Sequence, residues 1–305
     1  MENKKPLISI ITINYNNAEI TGDFLESLRY VDYDNIEVIV VDNASKENPT
    51  ETLKNIYPAV NIILSKKNLG FAGGNNLGIK AAKGDYLFFV NNDTVLTANI
   101  FEGLLEIFEK YPDAGVVSPK FHYYDSPGTI EFAGYNKVNN FTARNSMVGC
   151  KSKDYGQYDE IKITNYAHGG AMMVPRKVIE EVGLMPELYF LYYEEFDWCE
   201  QIKRKGYKVY YQYKSLIYHK ESMSVGKKST LKTFYLNRNR ILFMRRNVKG
   251  LSFLGFVFYY TFITIPKNTI TFLYHREPKH LKAFWKGYLW NLSNYNIKKL
   301  DSCAA

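Results

Sequence analysis

Cysteine is scarce in this chain of 305 residues. The three present, Cys150, Cys199 and Cys303, are scattered, with neither zinc spacing nor the density of a disulfide framework. A reducing compartment is therefore the expectation. With 10 prolines and 20 glycines, the composition excludes collagen-like and low-complexity architectures. Common nucleotide and metalloprotease signatures are also missing. The first apolar run ends in Asn14-Tyr15-Asn16-Asn17 rather than G-x-G-x-x-G, Gly226-Lys227-Lys228-Ser229 lacks the earlier glycine of a Walker loop, and no H-E-x-x-H occurs. The Gly-rich, Arg-containing loop usual after the first strand of nucleotidyltransferases is absent as well. The longest apolar stretch, Leu251–Ile265, stops at Pro266-Lys267, short of the ~18–20 residues that a spanning helix needs. Leu7–Ile13 is short and has no small-residue cleavage site after it, so it reads as a first strand rather than a leader.

Acid is missing from one part of the chain. Residues 1–221 hold 24 Lys and Arg against 29 Asp and Glu, whereas residues 222–305 hold 15 against 2. No acid occurs between Ser222 and Arg276. A basic tail on an acidic body calls for an anionic partner, whether nucleic acid, a membrane surface or a phosphorylated substrate.

What is present is an alternation of strands and helices. Leu7–Ile13, Ile36–Val41, Asn61–Leu64, Tyr86–Val90 and Gly115–Val117 are short apolar runs without period-two alternation, as in strands buried on both faces of a parallel sheet. Ile20, Phe24, Leu28 and Val31, and then Leu104, Leu105, Phe108 and Tyr111, recur at helical spacing between them. The pattern predicts an α/β fold, a mixed and mainly parallel sheet with helices on both faces. Residues ~120–165 have no clear period and read as loops and hairpins. A helix follows from Lys177 to Val182, then a short helix behind the acidic cluster, with strands Tyr207–Tyr211 and Lys214–Tyr218. A basic helix with Leu231, Phe234, Ile241 and Leu242 on one side begins a helical C-terminal appendage at Thr230. The expected division is a domain over residues 1–225, its donor half about 1–120 and its acceptor half about 121–225, followed by a basic and aromatic region over 226–305.

Such sheets bind ligands beyond the carboxyl ends of their strands. Here those ends are polar: Asn14-Tyr15-Asn16, Asp42-Asn43, Ser65 to Asn68, and Asn91-Asn92-Asp93. Any one of them is compatible with ordinary turn chemistry; four together favour a site. A carboxylate after Tyr86–Val90 can hold a divalent cation that bridges a diphosphate. Asp42 can accept from a pyrimidine N–H. The Gly-rich stretch Asn68–Asn76 opens a helix, where backbone can approach a phosphate closely. In Glu194-Glu195-Phe196-Asp197, crowded acids can raise one another's pKa, as suits a general base, although acids at a helix N-terminus also simply favour its dipole.

These segments carry a resemblance. Ser9–Asn16 (SIITINYN), Val40–Ser45 (VVDNAS), Asn68–Gly78 (NLGFAGGNNLG), Val90–Thr94 (VNNDT), His168–Val174 (HGGAMMV), Tyr192–Cys199 (YYEEFDWC) and His219–Ser222 (HKES) follow the order of a family-2 inverting glycosyltransferase of GT-A fold. The chain most resembles the rhamnosyltransferase-like subgroup, over residues ~7–250. The resemblance implies a Rossmann-like nucleotide-diphospho-sugar transferase. In it Tyr15 and Asp42 hold the base, Asn68, Gly70 and Asn76 lie along the nucleotide, and Asn91-Asn92-Asp93 replaces a DxD motif with Asp93 as metal ligand. Glu195 is then the catalytic base, His219 completes the site for Mn²⁺ or Mg²⁺, Asn92 lies at the donor, and Arg238 reaches a diphosphate. Two positions depart from the pattern: Asn91 stands in place of the first carboxylate, and Gln201 in place of an arginine six residues after the base.

The implied reaction moves a sugar, rhamnose in the narrowest reading, from a dTDP- or UDP-linked donor to a lipid-linked or oligosaccharide acceptor of a surface glycan. Tail basics such as Lys249, Lys279, Lys282 and Lys286, interleaved with Phe284, Trp285, Tyr288 and Trp290, then suit an anionic membrane surface rather than nucleic acid. The implied location is cytoplasmic, peripheral on the inner leaflet. A processive polysaccharide synthase is the nearest rival, but Gln201-Ile202-Lys203-Arg204-Lys205 lacks the tryptophan of its Q-x-x-R-W motif. A catalytically inactive nucleotide-binding partner of another transferase is the alternative outside enzymes.

Overall fold

The structure is a computed structural model and describes residues 5–220 and 229–296. The expected boundary near residue 225, together with Ser222, Lys227, Lys228 and Cys303, lies outside the described residues.

Among the described residues, ten strands and ten α-helices run in the order β1 (Ile8–Asn14), α1 (Ala18–Ser27), β2 (Ile36–Asp42), α2 (Thr50–Ile56), β3 (Asn61–Leu64), α3 (Gly70–Ala81), β4 (Tyr86–Val90), β5 (Thr94–Leu96), α4 (Ile100–Lys110), β6 (Ala114–Tyr123), β7 (Ile130–Phe132), β8 (Lys162–Thr164), β9 (Ala171–Pro175), α5 (Arg176–Val182), α6 (Glu194–Arg204), β10 (Lys208–His219), α7 (Thr230–Asn247), α8 (Gly250–Tyr259), α9 (Ile265–Tyr274) and α10 (Pro278–Ser293). The sheet order is β3-β2-β1-β4-β9-β6-β10-β5, with β7 on β6 and β8 on β10. Strands β3, β2, β1 and β4 are parallel, as are β6 and β10; β9 enters between β4 and β6 antiparallel to both.

Successive side chains on a strand point to opposite faces. Ile10, Val38, Val40 and Phe88 enter one apolar core with Phe24, Leu53 and Leu104 from α1, α2 and α4. Ile11, Ile39, Val41, Leu87 and Phe89 enter the other with Ile79, Val178 and Trp198 from α3, α5 and α6. Because both faces of β1, β2 and β4 are covered, these strands carry apolar residues on both faces, which is why they lacked alternation in the sequence.

Two expectations change. Residues 208–219 form one strand, not two: β10 passes through an irregularity between Gln212 and Leu216, where buried Gln212 and Ser215 bond the Gly103 and Ile100 carbonyls of α4. Helix α7 is not one-sided. Leu231 is exposed, whereas Arg238, Asn239 and Arg240 are buried with Ile241 and Leu242.

The C-terminal helices form a compact group. Helix α10 lies against α7 at Gly287, where a Cβ would come within 2.8 Å of the Phe234 carbonyl oxygen. Helices α8 and α9 join through a π turn over Tyr260–Thr264, giving continuous helix from 250 to 274. Pro266, which has no N–H to give, sits just after that wider turn. Tyr260 stacks on Tyr288, and Phe272 packs on Phe284, so this helix and α10 run as a hairpin.

Candidate active site

Strand register assembles the site. Along one edge of the sheet lie the carboxyl ends of β1, β2 and β4, at Asn14, Asp42 and Val90. Because β9 is antiparallel with Ala171 opposite Val90, the turn His168-Gly169-Gly170 reaches the same edge, and the Asn91 N–H donates to the Gly170 carbonyl at 2.9 Å. His219, at the end of β10, pairs with Thr94 of β5. That register sets His219 beside Asp93: imidazole Nε2 lies 3.2 Å from Asp93 Oδ1.

A cleft of about 440 Å³ opens at this edge. Tyr15, Asn68, Gly70, Asn92, Asp93 and His219 all line it, together with Asn43, Phe71, Phe190, Tyr192, Ser229 and Lys232. Asp42 stands behind the wall. It is buried, its Oδ1 accepts from Asn14 Nδ2 at 2.8 Å and from the Ser45 hydroxyl, and Oδ2 accepts from the Ser45 N–H. Asn14 Oδ1 in turn accepts from the Thr21 hydroxyl, which accepts from Asn92 Nδ2 at 2.8 Å. One buried chain thus ties the ends of β1, β2 and β4.

The neighbour of Asp42 faces the cleft instead. Asn43 accepts from the Leu69 N–H at 2.8 Å and donates to Asn68 Oδ1 and the Gly70 carbonyl, fixing the Gly-rich turn. Gly70 has φ +72°, and a Cβ there would fall 2.1 Å from the Phe190 carbonyl oxygen. No side chain fits that approach.

Two expected donor residues are placed otherwise. Asn76 is buried with its carboxamide paired to both backbone groups of Met185 and to Glu187 Oε1. It joins α3 to the segment before the acids instead of lying along a nucleotide. Arg238 is buried between the rings of Tyr235 and Trp290, each 4.7 Å away, and its Nη2 donates to the Leu188 and Tyr189 carbonyls. Burial pushes its pKa down to about 10. The cation that does line the cleft from α7 is Lys232.

Arg238 and its neighbour Asn239 hold a strained segment. Phe190, Tyr192 and Tyr193 have φ of 63°, 69° and 75° immediately before α6, a region unfavourable to L residues. Asn239 Nδ2 donates to the carbonyls of Tyr189, Leu191 and Tyr192 at 2.9, 2.7 and 2.8 Å. This segment sets where the acids begin.

The three acids separate by environment. Asp197 takes Arg246 Nε at 3.1 Å, Gln201 Nε2 at 3.0 Å and Asn247 Nδ2 at 2.6 Å, so it is a structural anchor for α7. Gln201, at the position of the missing arginine, thus donates to the same Asp197 carboxylate oxygen as Arg246. Glu194 is buried, and burial together with the charge of Glu195 drives its pKa well above the carboxylate range. Glu195 Oε2 is shielded and meets no hydrogen-bond partner among the described residues. Its carboxyl faces Gly169, whose added Cβ would lie 3.6 Å from Glu195 Cδ. Burial pushes its pKa up to about 7. Tyr135 and Phe196 wall this region, rings 5.1 Å apart, with Tyr135 stacked over His168. Glu195 therefore lies across the His168–Gly170 turn from Asn91, outside the cleft lining but on the same sheet edge.

The fit to a divalent cation rests on Asp93 and His219. Imidazole nitrogen and carboxylate oxygen are both ligands for Mn²⁺, and oxygen suits Mg²⁺. Among the described residues no group of three or more His, Cys, Asp or Glu is arranged as a complete metal cage. The pair fits a site that a diphosphate would complete. Glu131 of β7 takes His219 Nδ1 at 2.9 Å, leaving Nε2 toward Asp93. Burial opposes a charged imidazole, but Asp93 and Glu131 overcome it and raise His219 to about 10. His168 goes the other way, pushed down to about 3 by burial and by His219. Asn43, Glu131 and Lys232 escaped the sequence reading; only the Asp42-Asn43 pair at a strand end gave a signal.

Comparison with known proteins follows the same lines. The family model for glycosyl transferase family 2 matches residues 9–183. The low-salt glycan biosynthesis hexosyltransferase Agl10 of Haloferax volcanii is 24% identical over 212 residues, covering 66% of this chain and 63% of that protein. The glycosyltransferase GlyG of Streptococcus pneumoniae is 31% identical over 130 residues, 41% of this chain and 43% of its own. The chain thus spans less than two thirds of either relative. Among solved structures, the mannosyltransferase PcManGT of Pyrobaculum calidifontis, in complex with GDP-Man and Mn²⁺, superposes with a TM-score of 0.57 at 15% identity, over 96% of this chain and 76% of that one. S. aureus TarS 1-349 gives 0.57 at 12% identity, over 92% and 80%. The fold is that of the GT-A glycosyltransferases.

Proposed function

The chain belongs to glycosyl transferase family 2, and from that premise we propose that it is a metal-dependent inverting glycosyltransferase. It moves a hexosyl unit, rhamnose in the narrowest reading, from a dTDP- or UDP-linked donor to a hydroxyl of a lipid-linked or oligosaccharide acceptor in surface-glycan synthesis. Residues 1–225 carry the chemistry, and 226–305 hold the enzyme at the cytoplasmic face of a membrane. The observation that carries the reading is the convergence of Asp93 with His219, and of Glu195 across the His168–Gly170 turn, on one sheet edge beside a cleft.

In this reading Tyr15 and Asn43 flank the nucleotide, and Lys232 meets the diphosphate charge. Asp93 and His219 hold Mn²⁺ or Mg²⁺, which when bound neutralises charge on the diphosphate. The acceptor hydroxyl oxygen bonds to the anomeric carbon as the bond to the diphosphate oxygen breaks, and the hydroxyl proton passes to the Glu195 carboxylate. One displacement inverts the anomeric centre. The solved neighbour PcManGT, in complex with GDP-Man and Mn²⁺, supports a nucleotide sugar and a divalent cation.

The test is release of nucleoside diphosphate from a panel of dTDP-, UDP- and GDP-sugars with and without Mn²⁺, with product anomeric configuration read by NMR. Asp93→Asn should abolish the metal-dependent release while leaving the circular dichroism spectrum unchanged. Near-normal release by that variant removes Asp93 from the metal site. Donor binding without release, with every acceptor tried, favours the inactive-partner reading.

A further inference from the structure

We infer that the outward face of the helix over residues 250–274, with the lysines of α10, is a docking surface for an anionic lipid bilayer. The inference deepens the membrane reading above by naming the face, and it does not depend on the transfer chemistry.

Exposed apolar side chains are concentrated here. Of the 21 exposed large apolar side chains among the described residues, twelve lie between Leu251 and Tyr295. Nine of these lie on the long helix, among them Leu251, Leu254, Phe258, Phe262, Ile270 and Leu273, with Leu251 at 85% and Phe258 at 64% exposure. The inward ones, Phe256, Tyr260 and Ile265, are buried. Spacing by four residues drifts about 40° per step at 3.6 residues per turn. The wider π turn over Tyr260–Thr264 takes up that drift between Phe258 and Ile270, keeping them on one side. The helix therefore has two apolar faces, and only one has a partner among the described residues.

Charge selects the occupant. Lys249, Lys267 and Arg276 are exposed along or at the ends of this helix, and Lys279, Lys282 and Lys286 are exposed at helical spacing on α10. The sole acid between residues 229 and 296 is Glu277. Pairing of this face with a second copy about a two-fold axis would bring these cations together with one acid per copy to offset them. A bilayer with anionic headgroups satisfies both halves, taking the aromatic and aliphatic side chains below the headgroups and the lysines at them. No helix among the described residues is long and apolar enough to cross a membrane, so the contact lies in the interface plane.

The experiment is flotation of the full chain with phosphatidylcholine vesicles and with vesicles containing phosphatidylglycerol, at low and at 0.5 M salt (roughly a 4 Å screening length). We expect recovery with the anionic vesicles only and its loss at high salt. The exposed pair Phe258→Glu/Phe262→Glu, and separately Lys279→Gln/Lys282→Gln/Lys286→Gln, should each lower the vesicle partition coefficient at least ten-fold (about 1.4 kcal/mol), with donor turnover in solution unchanged. Equal recovery with neutral vesicles overturns the electrostatic part. Wild-type recovery by both variants overturns the assignment of the face. A concentration-dependent dimer that Phe258→Glu/Phe262→Glu dissociates, without vesicle binding by the wild type, makes the face an interface between copies. A chain that binds vesicles but cleaves no nucleotide sugar keeps this inference and removes the transferase reading.

Discussion

Asn239→Ala tests how the acids are held. Its carboxamide donates to three carbonyls, those of Tyr189, Leu191 and Tyr192, and the residue is fully buried. Those carbonyls belong to a segment in which Phe190, Tyr192 and Tyr193 sit at positive φ. Each such L residue costs about 1–2 kcal/mol, so roughly 3–6 kcal/mol of conformational strain is held in place there. An orphaned buried carbonyl costs about 1–3 kcal/mol. Without Asn239 the segment has two options. It can keep its shape and leave carbonyls unpaired, or it can relax toward ordinary φ values and recover much of that strain. The second option caps the stability loss near about 2–4 kcal/mol, the scale of breaking a buried polar network.

Relaxation moves Tyr193, hence the start of α6 and Glu195. The turnover number should fall at least ten-fold while donor Kd rises less, because Phe190 and Tyr192 of the cleft wall shift but Asn43 and Asn68 remain in place. Melting should drop by several degrees, and hydrogen exchange over residues 188–195 should quicken. Arg238→Ala separates two roles: as a post behind the segment it reproduces the Asn239 pattern, whereas as a diphosphate ligand it raises donor Kd with the segment still protected. Wild-type melting and turnover in Asn239→Ala would refute the reasoning.

Glu195 gives a pH profile. Its folded pKa is pushed up to about 7 from an ordinary value near ~4.3, so turnover should fall about ten-fold per pH unit below that value; Glu195→Gln should lose the rate with donor affinity kept. In stability the sign is opposite, because the folded chain holds the proton more tightly: the Glu195 contribution is complete below the unfolded pKa and is lost as pH rises through ~7. Its Gln variant should melt with a flatter pH dependence across pH 4–8, and an unchanged slope would remove Glu195 from that window. Glu131→Gln should weaken Mn²⁺ binding in the presence of UDP by roughly 10–100-fold, the usual effect of removing the partner of a ligating histidine; titration followed by electron paramagnetic resonance reads this apart from turnover, and an unchanged Mn²⁺ affinity leaves Glu131 as packing alone.

The sheet was legible where burial on both faces made apolar runs continuous, from β1 to β4. It was illegible over residues 120–165 because β7 and β8 are three residues each and derive their stability from pairing with β6 and β10, not from a pattern of their own. The irregularity in β10 hid one strand as two, since Gln212 and Ser215 interrupt the apolar run while their hydrogen bonds make burial tolerable. At the site, strand ends announced Asn14, Asp42, Asn68 and Asp93, but residue type does not tell direction. Asp42 turns into the Asn14–Thr21–Asn92 chain and Asn43 faces out. Arg238 has the chemistry of a phosphate ligand and is used on carbonyls. Glu131 carries no local signal, because what gives it meaning is His219, 88 residues away.

The C-terminal helices are legible as basic and apolar, and the sequence suggests an appendage. Their contacts make them part of the site. Helix α7 and its N-cap Ser229 supply Ser229 and Lys232 to the cleft wall, Arg238 and Asn239 to the segment before Glu195, and Arg246 to Asp197 within α6. The same helix is clamped by α10, where Asn291 donates to the Arg238 carbonyl and Arg245 donates to Asn291 and the Asn294 carbonyl. A displacement of the hairpin therefore acts on Arg238 and its neighbour Asn239, and through them on the Leu188, Tyr189, Leu191 and Tyr192 carbonyls of the strained segment. Removing residues 250–296 should accordingly cost turnover in free solution, with no membrane or acceptor lipid present, because α7 would lose the packing that holds both Arg238 and Asn239. A truncated chain with full turnover on a soluble acceptor would mean that α7 keeps its place by its contacts with α6 alone.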